Sequence, residues 1–381
     1  MAALPTFDPG YSTPELTEIF SAQATVAAIL EFEAGLALAM GDTGMAPTQA
    51  VAELAEACSV EVESPEDILD ATWSVGTPIN ALRDRVTSGL DADVGQWFHH
   101  GATTQDAVDT GLMLQAHRAL GVMDGLLVDL ATRLHHLAVE HRHQPHMGRS
   151  FLQLARPTTF GLRVAGWLDA VLGHIGDLRE RHGGLCVQLG GSVGTLADYG
   201  DLGDDVVGSL ARRLGLSSPR ITWHADRTPV LALAQALLRV SRTMAKMAAD
   251  IALLSSSDVG ELSVRSGASS SMPGKENPID SIRAIAAAAA CNGAVAMLTG
   301  SAPPELDRGV GGWHIERVAV PLAFQSTGAA VTAMLTSTES LEVDTSRMSA
   351  AVGSRKEGAD NGQIERVLER FALVVSGASS D

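Results

Sequence analysis

The chain predicts an all-α fold, a bundle of long helices, on three observations. Its 381 residues are 45% hydrophobic but only 4% aromatic, a balance of aliphatic residues that favours helix over strand. Apolar residues recur at steps of three and four over many consecutive turns. No alternating pattern longer than five residues marks a strand.

The elements follow in order. Thr13-Pro14-Glu15 and Ser64-Pro65-Glu66-Asp67 place a capping hydroxyl, a first-position proline and carboxylates at helix starts, and Thr228-Pro229 repeats the device. Residues 1–105 read as a smaller N-terminal helical domain. A long amphipathic helix is predicted from Val108, Leu112, Ala116, Leu120, Met123, Leu127, Leu130, Leu134 and Leu137. Another follows from Val230, Leu233, Leu237, Val240, Met244, Met247, Ile251 and Leu254. Further helices are predicted over about 157–181, 278–300 and 314–341. Together they make a central bundle over 106–345. The tail, 346–381, carries one short helix with Ile364, Val367, Leu368 and Phe371 on one face. The apolar faces are wider than one antiparallel neighbour covers, so several chains are expected to associate.

Bulk properties narrow the function. A formal charge of −18 argues against a broad basic surface for nucleic acid, and leaves anion binding to local positive groups. Cys58, Cys186 and Cys291 are widely spaced in apolar surroundings and read as core residues of a reducing compartment. No ligand spacing links them. His141, His143 and His146 cluster near a helix end without a cysteine or carboxylate to complete a metal site. The first residues lack a charged segment and an apolar run, so a cytoplasmic protein is expected. The run 284–300 contains Cys291, Asn292 and many alanines, and reads as a buried helix rather than a membrane span.

Three polar loops interrupt the helices. His99-His100-Gly101-Ala102-Thr103-Thr104-Gln105-Asp106 leads into a helix. It is either a carboxylate cradle of backbone N–H groups and hydroxyls, or an ordinary N-cap with Thr104 or Asp106 as the cap. Gly148-Arg149-Ser150-Phe151-Leu152-Gln153 is, alone, a connection with a surface arginine. Gly267-Ala-Ser-Ser-Ser-Met-Pro-Gly-Lys-Glu-Asn-Pro278 gathers hydroxyls, an ammonium and an amide on a glycine- and proline-punctuated turn. Such a loop is a surface linker, or a lid that closes over an anion and excludes water.

The third loop resembles the signature of the fumarase/aspartase superfamily at Ser269, Ser270, Met272, Pro273, Lys275 and Asn277. All three loops occur in that superfamily's order, and the resemblance covers nearly the whole chain. Four elements resemble its 3-carboxy-cis,cis-muconate cycloisomerase branch. They are His99 to Asp106; Gln188, Gly190, Gly191, Gly194, Thr195 and Leu196; Trp223, His224 and Arg227; and Glu305, Arg308, Gly311, Trp313 and Glu316. The superfamily's lyases usually carry a histidine where this chain has Phe151 and a glutamate where it has Ile282. Losing both members of that pair together fits the cycloisomerase branch. Two positions depart from that branch: Leu154 stands where it often has histidine, and Gly274-Lys275-Glu276 replaces the commoner His-Lys-Arg.

The resemblance implies a long-helix bundle with a truncated C-terminal domain. It implies a reaction that closes a lactone by adding a carboxylate oxygen across a double bond of a small polycarboxylate. β-Elimination from another polycarboxylate and a catalytically silent structural role are the alternatives. Ser269 is the expected proton-transfer group. Lys275 and Asn277 are expected to stabilise the carbanion as an aci-carboxylate, with Thr103 and Thr104 cradling another carboxylate. His99, Arg149, Ser150, Gln153 and Arg308 are the further expected substrate contacts. No metal, cofactor, nucleic acid or membrane is expected as partner. The expected assembly is a homotetramer whose active sites take loops from different chains.

Overall fold

The structure, a computed structural model, describes residues 9–264, 276–355 and 362–376. An N-terminal group comes first: the 21-residue α2 (Ala22–Asp42) preceded by α1 (Pro14–Ile19) and followed by the shorter α3 (Thr48–Ala57), α4 (Pro65–Val75), α5 (Ile79–Val86) and α6 (Ala92–Gly95). Five long helices form the bundle: α7 (Thr104–Glu140), α8 (Phe160–Gly183), α10 (Thr228–Leu254), α11 (Ile279–Gly300) and α12 (Glu316–Glu339), with α9 (Gly203–Leu214) beside α2. α13 (Thr345–Val352) and α14 (Gln363–Val375) complete the chain. The all-α expectation holds, and each predicted long helix lies within a few residues of its expected span.

The apolar steps explain the packing. Val108, Leu112, Ala116, Leu120, Met123, Leu127, Leu130, Leu134 and Leu137 are all buried along α7, as are Val230 through Leu254 at their helical spacing along α10. On α14, Ile364 is buried and Val367, Leu368 and Phe371 pack against the same core. One continuous apolar cluster runs from Leu16 to Ile364. Helix starts are more varied than their punctuation implies. Thr13 Oγ1 accepts from Leu16 N at 3.2 Å as a true cap. Ser64 instead sits in left-handed backbone without a cap bond, and Thr228 is the first residue of α10, its N–H held by Asp226 Oδ1 at 3.0 Å.

Two small antiparallel sheets also occur. β1 (Pro145–Ser150) pairs with β2 (Gln153–Thr159), and β3 (Leu262–Val264) with β4 (Leu341–Val343). The first hairpin escapes sequence rules. Its register is interrupted between Met147 and Arg149, its second strand contains Pro157, and its two-residue turn is Phe151-Leu152. Those residues have φ of 51° and 63°, the positive values that a tight hairpin demands and that Gly or Asn usually supply.

The topology gives the bundle two distinct ends. α7 has 37 residues and spans about 55 Å. It runs from Thr103 at the first end to the β1–β2 hairpin at the second. α10 begins at the first end, where Arg227 meets Asp109 of α7, and leads to Glu261 at the second, where it meets Arg149. α11 returns to the first end, and α12 runs out again to β4.

Among the described residues, three segments are long and apolar enough to cross a membrane by length and composition: α2, α11 and Gly312–Glu339. The apolar windows of the first and third are 61% and 67% buried inside the protein, but that of α11 only 39%. α11 therefore turns Ile279, Ile282 and Ile285 outward.

Candidate active site

The first end gathers residues from six stretches of sequence. Thr103 is the N-cap of α7, so the cap is neither Thr104 nor Asp106. Asp106, three residues on, accepts from Thr103 N at 2.9 Å. The same buried carboxylate accepts from Gly191 N at 3.0 Å, and its other oxygen lies 2.6 Å from His224 Nε2. Asp106 thus ties the Thr103 turn to the glycine-rich turn and to the Trp223-His224 segment.

Glycine is required where these turns meet. Gly191 has φ of +73°, and a Cβ there would lie 2.8 Å from Gly101 O. Gly101 has φ of +70°, and its Cβ would lie 2.8 Å from Tyr199 Cζ. Gln188 locks the other side: its Oε1 accepts from Trp223 N at 3.0 Å, and its backbone N–H donates to Thr110 Oγ1 at 2.8 Å.

Arg227 joins three elements here. It donates to both oxygens of Asp109 at 2.7 and 2.8 Å, pairs with Glu316, and lies over the Trp223 ring at 4.8 Å. Arg308 Nη1 donates to Thr103 Oγ1 at 2.6 Å. Thr104 Oγ1 lies 2.7 Å from Thr77 Oγ1. His314 stacks beside Trp313 with ring centroids 4.1 Å apart; burial, then the nearby Arg317 and Arg308 cations, pull its imidazole below the usual histidine range. Among the described residues, neither Arg308 nor Arg317 makes an ion pair. His99 lies in the same turn as Thr103, its Nδ1 2.6 Å from Glu33 Oε1.

The second end holds other expected residues. Arg149 makes a two-pronged pair with Glu261, at 2.9 and 2.7 Å, and His146 Nε2 lies 3.1 Å from the same carboxylate. Burial pushes the Glu261 carboxyl up, but the His146 and Arg149 hydrogen bonds outweigh it and hold the group at about 2. Arg149 is thus occupied by Glu261, the residue just before β3. Ser150 and Gln153 are exposed at the hairpin turn. Asn277 is partly exposed at the entry to α11, a helix of 22 residues that puts about 33 Å between it and the first end. Ser269, Ser270, Met272, Pro273 and Lys275 lie outside the described residues.

The structure therefore brings His99, Thr103, Thr104 and Arg308 together, and places Arg149, Ser150, Gln153 and Asn277 far from them. Sequence reasoning missed Glu33, Thr77, Asp109 and Glu261. For Glu33 a signal existed: in Glu31-Phe32-Glu33 it is the second of two carboxylates, two positions from Glu31 and so on another side of the helix, and an apolar stretch follows it to Met40.

A long-helix bundle whose polar turns converge on Arg308, a cation with no carboxylate partner among the described residues, is a scaffold for carboxylate chemistry. The chain matches the lyase family model over residues 10–291 and belongs to that family, within the fumarase/aspartase superfamily. It is 36% identical over 356 residues to the 3-carboxy-cis,cis-muconate cycloisomerase of Pseudomonas aeruginosa, covering 91% of this chain and 77% of that protein. It is 33% identical over 326 residues to trans-aconitate decarboxylase 1 of Mycosarcoma maydis, covering 84% and 66%. The crystal structure of the 3-carboxy-cis,cis-muconate lactonizing enzyme from Pseudomonas putida matches with a TM-score of 0.85 at 30% identity, over 98% of this chain and 87% of that one.

Proposed function

We propose that the protein is a 3-carboxy-cis,cis-muconate cycloisomerase. One observation carries the reading: the four sequence elements typical of that branch converge at one end of the bundle, around Thr103 and two arginines that have no acidic partner among the described residues. In a chain of charge −18, cations kept clear of carboxylates suit a polyanionic ligand.

The chemistry sets the roles. One substrate carboxylate oxygen bonds to an alkene carbon. The π electron pair moves to the neighbouring carbon and into its carboxylate, and that carbon takes up a proton. Lys275 and Asn277 stabilise the doubly charged aci-carboxylate, because fixed donors act most strongly where charge develops. Arg308 and the Thr103 turn hold a second carboxylate. Ser269 transfers the proton to carbon. Arg149, engaged by Glu261, anchors the hairpin that presents Ser150 and Gln153.

We further propose a homotetramer with shared sites, acting in the cytoplasm. The separation of the two ends supports this, since one chain cannot bring Asn277 or Gln153 to Thr103. Phe151 is 98% exposed and Leu152 70% exposed on a strained turn, apolar tips of the kind that a neighbouring chain covers. Ile282, 54% exposed on α11, is a further apolar side chain left uncovered within one chain.

A second reading, breakdown of another polycarboxylate, draws on the trans-aconitate decarboxylase relative. The ultraviolet absorbance of 3-carboxy-cis,cis-muconate incubated with purified protein tests the first. Loss of the conjugated-diene signal supports it; unchanged absorbance, with turnover of trans-aconitate, would replace it with the second.

A further inference from the structure

Glu33 is costly where it stands. It is 2% exposed in the apolar helix α2, its Oε2 is buried without a hydrogen-bond partner, and its Oε1 meets only His99 Nδ1, at 2.6 Å. A buried carboxylate so poorly satisfied lowers stability unless a cation balances it. An apolar residue at that position would serve the helix better. The carboxylate makes sense as a partner for an imidazolium.

His99 is correspondingly arranged. Its φ is +57°, a backbone state rarely adopted by a side-chain-bearing residue. Nδ1 faces Glu33, which fixes Nδ1 as the protonated nitrogen. Nε2 bonds no protein group among the described residues, and the side chain is 9% exposed. The ring lies in the turn that ends at Thr103.

We infer that Glu33 is a positioning residue that holds His99 as the entry point for the proton consumed in each turnover. The inference rests on the cycloisomerase reading. There the substrate is a trianion and the lactone a dianion, so every cycle takes up one proton. His99 passes a proton from Nε2 into the site, on its way to the carbon that accepts it, and the ring regains one from water, its Nδ1 held throughout by Glu33. A serine hydroxyl alone is too weak an acid to draw that proton from solvent.

Other titratable groups surround the pair. Tyr199 and Asp198 approach through Gly101, Asp106 lies at the start of α7 bonded to His224, His100 is adjacent, and Cys58 faces Glu33 after α3. Burial pushes the Cys58 thiol up to about 12 and lifts the Tyr199 phenol further above its ordinary range, so both stay neutral. Asp198 and Asp106 are unchanged in the variant below, which leaves Glu33 as the variable.

The test is Glu33→Gln, which keeps an acceptor for Nδ1 and removes the charge. Removing the negative charge beside the ring takes away an electrostatic stabilisation of its protonated form. The alkaline limb of the kcat–pH profile should therefore move down relative to wild type, with KM little changed, and kcat above the limb should fall about tenfold. His99→Asn should abolish the limb. The same midpoint is read without activity from the pH dependence of diethylpyrocarbonate modification at His99, followed by peptide mass spectrometry in wild type and Glu33→Gln. An unshifted modification midpoint, or a kcat limb that persists in His99→Asn, overturns the proposal. A wild-type enzyme inert towards 3-carboxymuconate, with the modification midpoint shifted as expected, would instead discard the reaction and keep the pair.

Discussion

Arg227→Met is the most informative perturbation of the frame that holds the site. In the native protein this guanidinium is shared by Asp109, 1% exposed, and Glu316, 5% exposed, which come from α7 and α12. Methionine fills much of the arginine volume, so the packing loss is modest. The electrostatic loss is not, because two buried carboxylates then face each other without a counter-ion. Removing one partner of a buried pair costs about 3–5 kcal/mol. For a chain of this size that lowers the thermal midpoint by roughly 4–6 °C. The deficit should shrink as the pH falls towards 5, since burial already raises the Glu316 carboxyl and its protonation removes one of the two stranded charges. The triple variant Arg227→Met, Asp109→Asn, Glu316→Gln should recover most of the loss. Thermal unfolding by circular dichroism at fixed protein concentration, at pH 8 and pH 5, reads all three. A deficit below about 1 kcal/mol, or one that does not change with pH, would mean that the triad is not the clamp its geometry implies.

Ser269→Ala should lower kcat by several orders of magnitude with the thermal midpoint preserved, whereas Lys275→Ala should damage both kcat and KM; steady-state kinetics on the two variants separate the roles, and near-normal turnover in the first would move proton transfer elsewhere. Stability should fall in two stages with acid. Burial pulls His146 below its ordinary 6.5 despite Glu261, so the unfolded chain takes up that proton first and stability declines as the pH drops below 6.5. Glu261 is held at about 2 against an ordinary 4.5, so its contribution is full above 4.5 and is lost between 4.5 and about 2. A thermal midpoint flat from pH 7 to 3, or a Glu261→Gln variant that keeps the second stage, would contradict this assignment.

Most of the bundle was legible in the sequence because long amphipathic helices carry a redundant signal. Over α10, all eight apolar positions predicted at steps of three and four from Val230 to Leu254 are buried, while Leu253, off that stripe, is exposed. The β1–β2 hairpin was not legible, since it depends on contacts distant in sequence. Glu261 fixes Arg149 from 112 residues away, and Phe151 and Leu152 occupy backbone states that nothing in their side chains favours. The site divided in the same way. Thr103, Thr104, His99 and Arg308 stand in local motifs. Their partners Glu33 and Thr77 do not, and the N-cap fell to Thr103 because Asp106 was drawn to Gly191 and His224.

The claim that a working site needs both ends of the bundle, supplied by different chains, has a direct test. Arg308→Met disables the first end and Ser269→Ala the signature loop, so each variant alone should be inactive. The two are mixed, allowed to exchange subunits, and assayed for loss of the 3-carboxy-cis,cis-muconate diene absorbance. Random reassortment should leave about a quarter of the sites with both elements intact, and activity should return to about that fraction of wild type. A mixture as inactive as its parents would place the whole site within one chain and contradict the account.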